Sequence, residues 1–149
     1  MRAAELLDRF HHGPLLADGG MGTALVDRGV PTSACFEALC IDDPAAVEGV
    51  HRSFVEAGSE LVLTNTFGAN RFKLARHGME HRVAELNAAG VARARSAGVL
   101  VGGSIGPLGV RLAPYGRVSP SGAREAYHEQ IRALAEYLSG FLARPVVRA

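Results

Sequence analysis

The chain has 149 residues, 48% of them apolar, and a formal net charge of +1. That length suits one domain with a real hydrophobic core, and that composition excludes a disordered chain. The near-neutral charge gives no electrostatic footprint for nucleic acid, and no apolar run approaches the roughly 20 residues that span a bilayer.

In chain order, residues 1–12 read as an amphipathic helix, not a signal peptide, because Glu5 and Asp8 interrupt the apolar positions. A short strand is predicted over 15–17, then a helix over 21–28 after a glycine-rich turn, then a loop through Pro31. Asp43 before Pro44 is a helix start, a capping carboxylate followed by proline at the first helical position. Val47, Val50, Phe54 and Val55 then share one helical face, and Gly58 ends the helix. A second strand is predicted over 61–66, a short helix over 70–77 ended near Gly78, and a longer helix over 80–97 ended by Gly98. Val83, Leu86 and Val91 are its inward residues.

The third strand is predicted over 99–103. A glycine- and proline-rich loop over 106–119 follows, and a loop that long is usually functional or disordered. The last predicted helix covers 123–138, with Tyr127, Ile131, Leu134 and Leu138 in register. Alternating strand and helix argue an α/β fold with a parallel sheet, in one unit without internal repeats.

Each predicted strand ends in small and polar residues. The runs are Asp18-Gly19-Gly20-Met21-Gly22-Thr23, Thr64-Asn65-Thr66-Phe67-Gly68 and Gly103-Ser104-Ile105-Gly106-Pro107. Parallel strands sealed by helices reach a ligand only at their carboxyl ends, so these runs are the candidate site. At Asp18 a carboxylate lies beside flexible backbone, placed to hold a substrate ammonium or, alternatively, to cap a helix. Asn65 orients a ligand or caps the next helix. The Ser104 run is an anion-binding nest or only a tight turn. The glycine spacing is wrong for a dinucleotide fingerprint.

Cys35 and Cys40 are too few for a secreted disulfide scaffold and suit a reduced, cytoplasmic protein. Their spacing is too wide for a usual zinc pair, so they read as packed thiols, and His11, His12 and His51 as solvated side chains. No serine–histidine–aspartate order and no phosphate-loop lysine is present.

Taken together, the three strand-end runs, with Cys35-Phe36-Glu37, Asn87-Ala88-Ala89 and Pro114-Tyr115-Gly116, resemble the homocysteine S-methyltransferase family. The likeness is to the homocysteine-binding domain of bacterial methionine-synthase-like enzymes, and it runs from about Leu15 to about Glu136. The resemblance implies a (β/α)8 TIM barrel and methyl transfer to the thiol of homocysteine, giving methionine. It implies a zinc ion held by three cysteines in the second half of the barrel, and a methyl donor such as methyltetrahydrofolate. It further implies that Asp18, with Gly19 and Gly20 beside it, helps hold the amino-acid part of homocysteine, and that Asn65, Thr66 and Ser104 line the pocket.

The sequence also departs from the family pattern. The tail over 137–149 does not resemble the expected fourth strand, and Cys35 and Cys40 do not stand in for the zinc cysteines. A barrel takes roughly 250 residues and eight strands, whereas about three βα units are legible here. The expectation is therefore the N-terminal part of a barrel, from a truncated or frameshifted gene product, inactive alone. The alternative is a non-enzymatic α/β interaction module, or a degraded remnant, whose open sheet edges pair with a second copy or a complementing chain.

Overall fold

Three parallel chain segments lie side by side at the centre of the fold. The computed structural model describes residues 3–138 in seven α-helices and two strands: α1 (Ala3–His11), α2 (Met21–Asp27), α3 (Leu39–Asp42), α4 (Pro44–Glu56), β1 (Leu61–Leu63), α5 (Arg71–Leu74), α6 (Val83–Arg95), β2 (Leu100–Gly102) and α7 (Pro120–Leu138). Strands β1 and β2 pair in parallel, with Leu61 opposite Leu100, Val62 opposite Val101 and Leu63 opposite Gly102.

The strand predicted over 15–17 shrinks to a single parallel bridge between Ala17 and Leu61. Pro14 and Gly19 confine it to a few residues, too few for a ladder. It still sits as a third strand would: Asp18 N donates to Leu61 O at 2.9 Å, and Glu60 N donates to Leu16 O at 2.8 Å. The predicted second and third strands are also shorter than expected. Thr64 N still donates to Gly102 O, but Thr66 N turns back to Thr64 O and closes a tight turn.

Local signals place the helix starts. Asp43 Oδ1 accepts from Ala46 N at 3.2 Å, with Pro44 at the first helical position. Asn70 Oδ1 accepts from Phe72 N and Lys73 N, both at 3.1 Å, and caps α5. Gly78 ends that segment in the left-handed region at φ +68°. The helix predicted over 80–97 begins as a 3-10 turn at Glu80–Arg82 and becomes α6 at Val83.

Helix α7 starts at Pro120, earlier than predicted, with Ser119 Oγ accepting from Gly122 N at 3.0 Å. Its inward row is Ala123, Ala126, Gln130, Ala133 and Leu134. Ile131, expected inward, is instead 37% exposed. The alanines let α7 lie close along α6, and that contact turns the row one residue away from the bulky apolar positions. Of the unmatched tail over 137–149, residues 139–149 lie outside the described residues.

Helices α4 and α6 cover one face of the sheet, where Val62 is fully buried together with Val47, Val50 and Leu25. A second cluster joins Ala38, Leu74, Val83 and Leu86. A third, of Leu108, Ala123 and Ala126, seats the 106–119 loop on α7. The other face of the sheet carries Leu61, Leu63 and Gly102, and Leu63 is 39% exposed. Strands apolar on both faces belong to parallel sheets that are covered on both.

Candidate functional site

The carboxyl ends of the three parallel segments meet on one side of the molecule, because parallel strands deliver their following turns to the same edge. The first end is held by its own carboxylate. Asp18 Oδ2 accepts from Leu63 N at 2.9 Å, so Asp18 bridges to the next strand and does not cap α2. The residue before α2 is Gly20, whose flank makes no side-chain cap. Asp18 Oδ1 is buried and has no hydrogen-bond partner among the described residues. Burial pushes the Asp18 carboxyl above its ordinary pKa, against the lowering effect of the Leu63 amide. Gly19 packs on the Phe54 ring, which leaves scant room for a side chain.

The second end is bound into the fold more tightly than its polar composition suggests. Thr64, Asn65 and Thr66 are all buried. The hydroxyls of Thr64 and Thr66 lie 2.6 Å apart. Thr66 Oγ1 donates to Ser104 O at 2.8 Å, and Ser104 N donates to Thr64 Oγ1 at 2.9 Å. These bonds stitch the second strand end to the third. Asn65 Nδ2 donates to Phe36 O at 2.7 Å and contacts Cys40 Sγ at 3.6 Å. The capping asparagine of the next helix is Asn70, five residues on.

The third end follows the same plan. Gly106 N donates to Phe67 O at 3.1 Å, and a Cβ on Gly106 would collide with that carbonyl. The Phe67 ring is 55% exposed and lies under Lys73 Nζ, 4.7 Å from the ring centroid. The structure thus brings Asp18, Asn65, Thr66 and Ser104 to one edge, and Asp18 Oδ1 there is buried without a hydrogen-bond partner among the described residues.

Glu37 also joins this candidate edge. Its Oε1 accepts from Gly68 N at 2.6 Å, and the Cys35 thiol donates to Oε2 at 3.6 Å. The loop before α3 is thereby pinned to the turn after β1. Cys35-Phe36-Glu37 signalled this in sequence only as part of a motif, with no hint of which backbone it would grip.

The thiols do not suit a zinc ion. Cys40 is buried beside Asn65, and burial pushes its pKa up to about 12, far from the thiolate a metal needs. Burial also raises the Cys35 thiol, which is already engaged by Glu37. Among the described residues no group of three or more His, Cys, Asp or Glu side chains can hold a metal. His51, expected to be solvated, is fully buried. Neither ring nitrogen has a partner among the described residues, and burial lowers its pKa to about 4.

Comparison with known proteins now bears on this edge of the fold. The family model for homocysteine S-methyltransferase matches residues 15–144. The chain belongs to the homocysteine S-methyltransferase family. Within that family it is 33% identical over 140 residues to a methionine synthase of Mycobacterium tuberculosis, and 32% identical over 142 residues to one of Mycobacterium leprae. Each alignment covers 84% of this chain and 12% of the relative.

Among solved structures, the metallated form of the homocysteine methyltransferase MmuM from Escherichia coli superposes with a TM-score of 0.73 at 25% identity. That match covers 93% of this chain and 55% of MmuM. The oxidized form gives a TM-score of 0.72 and covers 86% and 51%. The chain therefore spans about half of this solved family member and a small part of the curated relatives. No helix among the described residues is long and apolar enough to cross a membrane.

Proposed function

We propose that these residues form the N-terminal part of a homocysteine S-methyltransferase barrel, and that they hold the amino-acid end of homocysteine. The observation that carries this reading is Asp18 Oδ1, a buried carboxylate oxygen without a partner at the shared strand-end edge. A buried unpaired acceptor is costly, and a substrate ammonium is the group that satisfies it. Gly19 and Gly20 beside it let a small ligand approach the backbone.

Asn65, Thr66 and Ser104 act in this reading as the frame of the pocket. Their mutual hydrogen bonds fix the turn walls, and a fixed wall lowers the entropy that binding must supply. The (β/α)8 barrel is supported by the superposition on half of MmuM and by the apolar open face at Leu61 and Leu63. The other strands of such a barrel would cover that face. Zinc does not find its ligands among the described residues, so activation of the homocysteine thiol belongs to the remainder of the barrel. Methyltetrahydrofolate is the proposed donor, a reading that rests on the family branch and on no site described above. A cytoplasmic location fits a pair of free thiols.

The test is a chimera in which residues 15–138 replace the matching segment of E. coli MmuM. The chimera is expected to form methionine from homocysteine, and Asp18→Ala in it to lower kcat/KM at least 100-fold. A folded, metal-loaded chimera that does not bind homocysteine would overturn the proposal. A second reading, an α/β module that pairs with a partner, is favoured by one feature: among the described residues Leu63 stands exposed on a sheet face that no helix covers, beside the edge strand β2. A defined complex formed by the chain, with no affinity for homocysteine, would support it instead.

A further inference from the structure

Gln130 stands on the inward row of α7, where the other members are three alanines and a leucine. Its side chain is fully buried. Nε2 donates to Thr66 O at 2.7 Å and reaches Asn87 Oδ1 at 3.4 Å. Oε1 is buried and has no hydrogen-bond partner among the described residues. A methionine would fill the same space and remove the unpaired Oε1, while leaving Asn87 Oδ1 without a partner among the described residues, so the two changes offset and stability alone does not decide for an amide here.

What the amide does is fix one carbonyl, and that carbonyl sits at the centre of the strand-end edge. Thr66 is held from every side. Its methyl rests against Gly90 of α6, where any Cβ would collide with it. Its hydroxyl donates to Ser104 O. Its carbonyl accepts from Ala69 N within the turn and from Gln130 across it. Asn87, which Gln130 also contacts, donates to Ala69 O at 2.8 Å. Two buried amides from two helices thus grip the backbone of the turn that follows β1.

We propose that Gln130 is a positioning residue: through the Thr66 carbonyl it sets the turn that carries Asn65 and frames Ser104, and so the shape of the pocket beside Asp18. The proposal rests on the reading of that pocket as the one for the amino-acid end of homocysteine. It assigns to α7, a helix remote from Asp18 in sequence, a part in substrate binding. The buried unpaired oxygen is the stability given up for that placement.

The decisive variant is Gln130→Met in the full chain. Three quantities are measured: the melting temperature, amide hydrogen exchange by NMR, and the Kd for L-homocysteine. The expected result is a melting temperature little changed. The Ala69 and Gly106 amides are expected to exchange at least tenfold faster, while those of α4 keep their rates. Affinity is expected to fall about fivefold or more. A variant that melts lower or fails to fold, with exchange faster throughout, makes Gln130 a structural support and overturns the proposal. Unchanged exchange at Ala69 and Gly106 overturns it equally. The exchange measurement needs no ligand, so a wild-type chain that ignores L-homocysteine would remove the pocket reading and leave the anchoring of the turn still under test.

Discussion

Among the described residues, His51 and Asp18 each keep a buried polar atom without a partner, and they differ in what a proton does to them. His51 is neutral in the fold, with its pKa lowered to about 4 by burial. The unfolded chain takes up a proton near pH 6.5, and the fold refuses it until about pH 4. Stability is therefore full above pH 6.5 and falls as the pH drops toward 4, by up to about 3 kcal/mol. Urea denaturation from pH 7.5 to 4.5 is expected to show that slope, and His51→Phe to flatten it. An equal slope in His51→Phe would remove His51 as its source. Asp18 behaves oppositely toward a ligand. Its carboxyl is raised by burial, an ammonium beside it would lower it again, and binding should weaken as acid protonates it.

At the scale of elements, the caps were legible because a cap is local. Asp43-Pro44 and Asn70 announce their helices within a few residues, and both side chains accept the expected backbone amides. Asn70→Ala is expected to cost about 1 kcal/mol, read as a lower urea midpoint at constant slope. The packing of α7 on α6 and of Thr66 on Gly90 was not legible, because it depends on residues far apart in sequence. Periodicity offered Ile131 as an inward residue, yet the close approach of α6 favours a row of alanines and admits Gln130. The same long-range dependence hid the role of Thr64 and Thr66. Their hydroxyls suggested ligand contacts, and the fold uses them to join two strand ends.

At the scale of the molecule, the convergence of the three strand-end runs was legible, since a parallel sheet has one edge to which such runs are delivered. The first strand was legible in position but not in extent, because its pairing is a single bridge. The open sheet face is the largest departure from a self-sufficient fold. Under the proposed function its apolar residues would face the interior of a larger unit, and the chain superposes on about half of MmuM.

The proposed function divides the substrate: these residues would grip the amino-acid end of homocysteine, and the thiol would be handled elsewhere. Calorimetric titration of the chain with L-homocysteine and L-methionine, with and without zinc, tests it directly. Similar affinity for both amino acids is expected, with no effect of zinc and at least tenfold weaker binding of both by Asp18→Asn. Zinc-dependent preference for homocysteine, or no binding of either by the folded chain, would contradict it.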